Sequence, residues 1–253
     1  NTPIFFPDIT YSFYEVYCSL YEVPYQLIPL TKNFSIDTSD YKKINGGIIF
    51  PNPNAPTGRL LSLEVIEDLL KTNHDSVLVI DEAYIDFGGN SAISLVSSYP
   101  NLLITQSLSK SRSLAGLRVG FAIGDCSLIN ALDRIKNSFN SYPLDRLAIT
   151  GSIASFNDKN YFDETREKVI RSREKLALDL IELGFSVLPS KANFLFITHH
   201  EHDAGKLLLS LRKKNILVRH FDNSRINEYL RITVGLPKQN EYLLLVLKKI
   251  IQC

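Results

Sequence analysis

The chain has 253 residues, of which 45% are hydrophobic and 22% charged, an ordinary composition for a globular protein. The formal net charge is +1 and the longest basic run is Arg212-Lys213-Lys214, so the charge pattern argues against a nucleic-acid partner. No apolar stretch approaches the roughly 20 residues of a membrane-spanning helix, and no signal peptide is recognisable, so we expect no membrane partner.

The cysteines are too far apart to indicate a metal or disulfide framework. Cys18, Cys126 and Cys253 form no C-x-x-C pair and are accompanied by no histidine cluster. We therefore expect free thiols in a reducing, cytoplasmic environment and no metal site. The chain begins with Asn1 inside an apolar pattern, and we expect residues to precede it in the natural protein.

The first part of the chain predicts strands that alternate with helices. Apolar runs at residues 46–50, 77–80, 102–105 and 117–123 predict strands, and apolar spacing over 61–71 predicts a helix. Runs that are apolar on both faces and separated by helices indicate a mainly parallel α/β sheet. In such sheets ligands bind beyond the carboxyl ends of the strands. We assign this large domain to residues 1–146.

From about residue 147 the pattern changes to that of a small α+β domain, residues 147–253. A long charged helix over residues 161–183 would bridge the two domains. The remaining pattern predicts short strands and two helices, with strands at 185–188, 193–197, 216–218 and 230–234 and helices at 204–214 and 239–251.

Two of the predicted strands end in polar turns. The first is followed by Asn52-Pro53-Asn54-Ala55-Pro56-Thr57-Gly58, a rigid turn that presents side-chain amides or is simply an ordinary turn. The second is followed by Asp81-Glu82-Ala83-Tyr84. A carboxylate there is costly to bury unless it meets donors or a cation such as a protonated pyridine nitrogen. A surface turn is the alternative.

A third strand is followed by Ser107-Leu108-Ser109-Lys110, with Arg118 eight residues after the lysine. Two hydroxyls and an arginine can hold a phosphate, since guanidinium donates paired hydrogen bonds to that group. A partly desolvated lysine amine can attack a carbonyl. The segment therefore combines a phosphate site with a nucleophile.

In this order, N-P-x-x-P-T-G, D-E-A-Y, S-x-S-K and L-A-G-x-R-x-G resemble the class I and II aminotransferases of fold type I, which depend on pyridoxal 5'-phosphate. The resemblance is greatest to the histidinol-phosphate branch and runs from Tyr11 to the last helix. It implies that Lys110 holds the cofactor as a Schiff base and moves the proton at the substrate α-carbon. It also implies that Asp81 pairs with the pyridine nitrogen, which keeps the ring cationic.

The resemblance assigns the other cofactor contacts as well. Tyr84 and an asparagine of the first turn would bind the ring hydroxyl. The phosphate would be held by Ser107, Ser109 and Arg118, and the ring would stack on Tyr11, for which a core tyrosine is the alternative. The family usually has Asn directly before Pro-Thr-Gly, where this chain has Ala55, so Asn54 is the predicted substitute.

The C-terminal part supplies the predicted substrate contacts. Arg231, in Leu230-Arg231-Ile232-Thr233-Val234-Gly235, resembles the family arginine that binds the acidic end of the substrate. Arg219 resembles a second arginine of the histidinol-phosphate enzymes, or forms a surface salt bridge. Asn193 matches a position near the cofactor, with a core-strand role as the alternative. A phosphate dianion should gain from two guanidinium groups.

The implied reaction is a ping-pong transamination of histidinol phosphate with 2-oxoglutarate, a step of histidine biosynthesis. The family is typically homodimeric, with an upstream segment that supplies a glycine-rich phosphate turn, an arm that packs on the partner and a tyrosine for the neighbouring site. Alternatives are an aromatic aminotransferase or a threonine-phosphate decarboxylase. A more distant alternative is a non-catalytic effector domain of a transcription regulator, which calls for an upstream helix-turn-helix.

Overall fold

The computed structural model describes residues 2–252 and contains two β-sheets. The larger sheet has six strands, namely β1 (Ile4–Pro7), β2 (Tyr25–Ile28), β3 (Gly47–Pro51), β4 (Leu78–Asp81), β5 (Leu102–Ser107) and β6 (Gly120–Gly124). Their order is β2-β1-β3-β4-β5-β6, and all neighbours are parallel except β5 and β6. The prediction of a mainly parallel α/β sheet is confirmed.

Three helices accompany this sheet: α1 (Phe13–Leu20), α2 (Leu63–Thr72) and α3 (Cys126–Phe139). The apolar stripe of α2 is buried through Ile66, Leu69 and Leu70, which pack against strand residues such as Ile48 and Ile80. The predicted helix at 61–71 therefore faces the core as its spacing indicates. In contrast, no side chain of α3 is buried in this structure.

The second sheet is antiparallel, in the order β7-β8-β10-β9. The elements of this part are α4 (Arg146–Asn157), α5 (Lys159–Glu182), β7 (Ser186–Val187), β8 (Phe194–Thr198), α6 (Ala204–Arg212), β9 (Arg219–His220), β10 (Leu230–Thr233) and α7 (Pro237–Ile251). Helices α5, α6 and α7 cover the sheet through a core that includes Leu180, Leu195, Leu211, Ile232 and Leu247.

Two predicted strands lie elsewhere. The strand expected from residue 117 begins at Gly120, because residues 115–117 form a 3₁₀ turn and Arg118 has φ of +56°. The strand expected at 216–218 lies at Arg219–His220. Ile216 and Val218 still pack against the second core, but from a loop, which explains their apolar character.

The predicted domain boundary between residues 146 and 147 falls at the start of α4. Ala148 of this helix packs against Leu108 and Val119, which flank the Lys110 loop. The division into residues 1–146 and 147–253 stays a prediction. Within residues 2–252, no helix is both long and apolar enough to cross a membrane. Cys18 and Cys126 are free thiols, and Cys253 lies outside the described residues.

Candidate active site

The polar turns converge because their strands are parallel and in register. Pro51 at the end of β3 pairs with Asp81 at the end of β4, which in turn pairs with Thr105 of β5. All three residues line one cleft of about 560 Å³ at the carboxyl edge of the sheet. This volume lies within the range of small-molecule sites.

Most of the predicted site residues line this cleft. They are Tyr11, Asp81, Tyr84, Ser107, Ser109, Lys110, Arg118 and Arg231. The first seven come from the larger sheet and its loops, whereas Arg231 lies on β10 of the second sheet. The cleft therefore lies where the two sheets meet, although the sequence motifs come from segments far apart along the chain.

The carboxylate of Asp81 is held by two hydrogen bonds. The backbone N–H of Ala83 donates to Oδ1 at 3.0 Å, and the hydroxyl of Tyr14 donates to Oδ2 at 3.4 Å. Burial raises the pKa of Asp81 above its usual value, although these two donors and the positive charge of Lys110 act in the opposite direction. A cation that binds beside Asp81 would therefore favour its ionised form.

The loop that carries Lys110 is fixed at both ends. Leu108 is buried and its N–H donates to the carbonyl of Val119, and the N–H of Leu114 donates back to the carbonyl of Leu108. Ser107 accepts a hydrogen bond from the N–H of Ser109 at 3.1 Å. The lysine is thus presented from a closed turn while its own side chain remains exposed.

Arg118 reaches the same cleft from the end of a 3₁₀ turn. It adopts a left-handed backbone conformation, and its guanidinium donates to the carbonyl of Ala115 at 3.1 Å. Together with Ser107 and Ser109, it places hydroxyl and guanidinium donors on the cleft wall, as the predicted phosphate site requires.

A continuous row of aromatic and cationic side chains joins Lys110 to the second sheet. The Nζ of Lys110 lies 5.3 Å from the ring centre of Tyr84, and that ring meets Phe194 edge-on with centres 5.2 Å apart. The guanidinium of Arg231 lies over Phe194 at 5.0 Å. These distances place a carbonyl-reactive amine and a guanidinium on either side of two aromatic rings.

Arg231 has an unusual environment for a charged side chain. Burial lowers its pKa, as does the nearby positive charge of Arg219, whereas Tyr84 acts in the opposite direction. Its Nε is buried and has no hydrogen-bond partner within residues 2–252. A partly buried guanidinium with a free donor is suited to bind an anion.

Arg219 lies directly opposite Arg231 on the neighbouring strand, as the register of β9 and β10 shows. Both guanidinium groups approach the ring of Phe221, at 5.5 Å for Arg219 and 5.9 Å for Arg231. Like charges directly opposite each other destabilise a strand pair. The pair therefore favours an anion between or beside the two side chains, although Arg219 itself is exposed and does not line the cleft.

Asn54 and Asn193 do not line the cleft. Both N–H groups of the Asn54 amide are engaged within the protein, with the carbonyl of Ile9 at 3.0 Å and the hydroxyl of Thr57 at 3.0 Å. Ala55 occupies the cleft wall instead. Asn193 precedes β8 and accepts a backbone hydrogen bond from Val234. Contacts of either side chain with a cofactor or substrate stay predictions, and the geometry around Asn54 weighs against its assigned role as a donor.

Two residues that shape the site are not among those predicted from the sequence. Tyr14 lies three residues after Tyr11, on α1, and this helical spacing brings both rings together with centres 5.6 Å apart. Arg173 of α5 is fully buried and donates to the carbonyls of Phe87 and Ala192 at 2.8 and 2.9 Å. The Tyr14 spacing is visible in the sequence, whereas the long-range contacts of Arg173 are not.

Glu82, the second carboxylate of the D-E-A-Y segment, has a structural environment. It is buried and accepts hydrogen bonds from Ser91, Ala92 and Gln106 at 2.6 to 2.8 Å. Burial raises the pKa of Glu82, and these donors oppose the shift. Glu82 thus anchors the end of β4 to β5 and to the following loop, while Asp81 faces the cleft.

Comparison with known proteins agrees with this geometry. The family "Aminotransferase class I and II" matches residues 1–247. Histidinol-phosphate aminotransferase 1 of Pseudomonas aeruginosa is 61% identical over 244 residues, which cover 96% of this chain and 70% of that protein. A counterpart in Methylococcus capsulatus is 57% identical, covering 98% of this chain and 70% of that protein.

A solved structure shows the same fold. The histidinol-phosphate aminotransferase of Clostridium acetobutylicum has a TM-score of 0.91 and 27% identity, covering 98% of this chain and 78% of that chain. The larger sheet, the cleft at its carboxyl edge and the second sheet thus form the fold-type I arrangement that the motifs predicted. The chain belongs to the class I and II aminotransferases.

Proposed function

We propose that this protein is a pyridoxal-phosphate-dependent histidinol-phosphate aminotransferase. It converts histidinol phosphate and 2-oxoglutarate to imidazole-acetol phosphate and glutamate. The high identity to relatives that carry this name supports the assignment. The assignment of the substrate depends on one observation, the pair of facing arginines beside the cleft, Arg219 and Arg231.

The residues of the cleft fit the cofactor in charge and in position. Asp81 has a raised pKa and no ion-pair partner within residues 2–252, so it is suited to a cationic ring nitrogen. Ser107, Ser109 and Arg118 offer donors for the phosphate, and Lys110 provides the amine. When bound, pyridoxal phosphate supplies an aromatic cation that takes up the electron pair released at the substrate α-carbon.

The chain's own groups then have distinct tasks. Lys110 holds the cofactor and transfers the proton at the substrate α-carbon, as its exposed amine beside Tyr84 permits. The carboxylate of Asp81 holds the proton of the ring nitrogen in place by its negative charge, supported by Ala83 and Tyr14. The ring of Tyr84 contacts Lys110 on one side and Phe194 on the other, and so forms this wall of the cleft.

The arginines select the substrate. Histidinol phosphate carries a CH2-phosphate where an amino acid has its carboxylate, so its charge is greater at the same position. Arg231 binds this acidic end from β10, and Arg219 adds a second guanidinium for the dianion. Each charge-assisted hydrogen bond contributes about 1.5–3 kcal/mol, which corresponds to roughly tenfold or more in binding. The carboxylate of 2-oxoglutarate uses the same pair in the second half-reaction.

Steady-state kinetics with histidinol phosphate, phenylalanine and tyrosine test this assignment. We expect the highest kcat/KM for histidinol phosphate. Arg231→Gln should lower the value for all donors, whereas Arg219→Gln should lower that for histidinol phosphate by about tenfold or more and affect phenylalanine less. Arg212→Gln, at an exposed position on α6, is the matched control. A clear preference for phenylalanine or tyrosine would refute the substrate while sparing the aminotransferase family.

The alternative reactions are not favoured by the comparisons, since the relatives at about 60% identity are named histidinol-phosphate aminotransferases. A threonine-phosphate decarboxylase would release CO2 without a keto acid acceptor. The effector-domain alternative would bind the cofactor without turnover. Single-turnover assays with histidinol phosphate separate all three, because only the transaminase gives imidazole-acetol phosphate and requires 2-oxoglutarate to continue.

The protein acts as a homodimer in this proposal. Helices α3 and α4 expose large apolar side chains, among them Ile135, Phe139 and Leu147, which are 64%, 76% and 80% exposed. Exposed apolar patches of this kind favour burial against another surface, here a second copy of the chain. Sedimentation equilibrium of the protein should give twice the chain mass, and a concentration-independent monomer would exclude this state.

The same proposal extends to organisation and location. The chain consists of a cofactor domain, residues 1–146, and a substrate domain, residues 147–253, with the cleft between their sheets. Two free cysteines, Cys18 and Cys126, support a reducing compartment, and hence the cytoplasm.

A further inference from the structure

The loop between β8 and α6 brings together three groups that are known as metal ligands. His199, Glu201 and His202 each offer one ligand atom, and these atoms all lie within 4.8 Å of one another. The expectation of no metal site overlooked this loop, which contains three histidines in four residues. We propose that this loop binds a zinc ion through His199, Glu201 and His202.

The orientation of the His199 ring suits this role. Its Nδ1 accepts a hydrogen bond from the N–H of Glu201 at 3.2 Å, so the lone pair of Nδ1 points toward the loop. The other nitrogen, Nε2, faces the backbone at Leu183 and Gly184, where an added Cβ would come within 3.0 Å of it. Metal-binding histidines usually donate their second ring N–H to such a backbone group, which fixes the ring and its tautomer.

The three ligands can close around an ion with small movements. Ligand atoms about 2.1 Å from a tetrahedral zinc ion lie about 3.4 Å apart. His199 is buried and packs against Phe185 with ring centres 4.9 Å apart, so it provides the fixed ligand. Glu201 is exposed and His202 partly so, and rotation of these side chains shortens the separation. The ion replaces the long hydrogen bond to Nδ1, and water fills its fourth position.

The chemistry of the three ligands favours zinc over other divalent ions. Two imidazoles and one carboxylate are ligands that zinc prefers, whereas magnesium and calcium favour oxygen atoms alone. His200 stacks on His199 with ring centres 5.2 Å apart and lies outside the ligand set.

The position of the site indicates a structural role. Phe194, at the start of β8, packs on Tyr84 in the cleft, whereas His199 follows the other end of the same strand. A five-residue strand is about 16 Å long, so the ion lies far from the reacting atoms. It ties the end of β8 to its loop beside the turn after α5. Zinc should therefore raise thermal stability and leave kcat unchanged.

Calorimetric titration of the pyridoxal-phosphate-loaded protein with zinc, in a buffer free of phosphate and chelators, tests the site. We expect saturable binding of one ion per chain. Glu201→Gln and His202→Ala should each weaken it by about 100-fold or more, since even outer-shell partners change metal affinity by 10–100-fold. His74→Ala is the matched control, because His74 is exposed and lies 3.1 Å from Asp75 without a third ligand.

Neither Glu201 nor His202 is buried, so both variants should retain the fold. Unchanged absorbance of the bound cofactor in each variant checks this. Thermal unfolding with and without zinc gives a second readout. The midpoint should rise with zinc in the wild type and in His74→Ala, but not in His202→Ala. Absence of saturable binding, or equal binding by the wild type and both ligand variants, would overturn the proposal.

Discussion

Replacing Arg173 with methionine should destabilise the protein and loosen the cleft at the same time. The side chain of Arg173 is 1% exposed, and its guanidinium donates to the carbonyls of Phe87 and Ala192. It also contacts the exposed carboxylate of Glu174. Phe87 follows the Asp81–Tyr84 segment, whereas Ala192 precedes β8. A single side chain of α5 thus ties together the two segments that form the aromatic wall.

The structure sets the size of the effect. Methionine replaces the aliphatic part of the arginine side chain but has no donors, so both carbonyls lose their partner inside the protein. Each unpaired buried acceptor costs about 1–3 kcal/mol, or about 2–6 kcal/mol for the two. Removal of a buried charge offsets part of this loss. We therefore expect the free energy of unfolding to fall by about 2–4 kcal/mol, a large part of the 5–15 kcal/mol typical of a domain.

Urea unfolding at one protein concentration measures this change, and Arg171→Met is the matched control. Arg171 lies on the same helix and makes only an exposed ion pair with Glu167 at 3.8 Å, so its loss should cost about 0.5 kcal/mol or less. Affinity for pyridoxal phosphate should fall in Arg173→Met alone. If the two variants unfold within about 0.5 kcal/mol of each other, the reasoning on Arg173 is wrong.

Three further changes follow from the site. In the cofactor-free protein the raised pKa of Asp81 means that the folded state favours the protonated carboxyl group. Its contribution to the free energy of unfolding is therefore favourable below about pH 4 and is lost as pH rises. Asp81→Asn should therefore raise the thermal midpoint at pH 7 but not at about pH 3, and a lower midpoint at pH 7 would contradict this sign. Gly58→Ala places a Cβ in steric conflict with the hydroxyl of Ser190, at a residue whose φ is +75°. The midpoint of urea unfolding should therefore fall clearly below that of Gly116→Ala, since a Cβ at Gly116 has no atom within 4 Å. Tyr14→Phe removes a long hydrogen bond to Asp81 and should weaken pyridoxal phosphate binding two- to fivefold, or by about 0.5–1 kcal/mol. Fluorescence titration measures this affinity, and an unchanged value would contradict the prediction.

The part of the site that follows parallel strands could be predicted from the sequence. Asp81 comes directly after one apolar run and Ser107 two residues after another, and parallel strands bring such positions to one edge. The order of the four motifs then indicated the family, which the comparisons confirmed. Lys110 and Arg118 line the same cleft because the loop between β5 and β6 folds back on itself.

Other features depend on contacts that the local sequence does not contain. The amide of Asn54 could be recognised as polar and close to the motif, but not as engaged with Ile9, which lies 45 positions away. The placement of Ala55 on the cleft wall follows from the same turn. The partners of Arg173 lie in two separate loops, since Phe87 follows β4 of the larger sheet and Ala192 precedes β8 of the second sheet. The sequence showed only an arginine in a charged helix, where an exposed position is usual.

Short strands were the least predictable elements. The apolar run at 216–218 predicts a strand, yet the ladder with β10 forms at Arg219 and His220. The apolar side chains of this run pack against the core of the second sheet from a loop. Apolar character alone therefore does not show which residues form the strand. This small shift bears on the proposed substrate site, because it places Arg219 itself in register with Arg231.

The two principal charges of the cleft are arranged so that ligands stabilise the protein. Burial raises the pKa of Asp81 and lowers that of Arg231, so in each case the surroundings disfavour the charged form. A cationic ring beside Asp81 and an anionic group beside Arg231 reverse both effects. Since Asp81 and Arg231 line the same cleft, one molecule that carries both charges can contact the two sheets together. The free energy of ligand binding then adds to the free energy of unfolding, so a site with unpaired, partly buried charges is compatible with a stable fold.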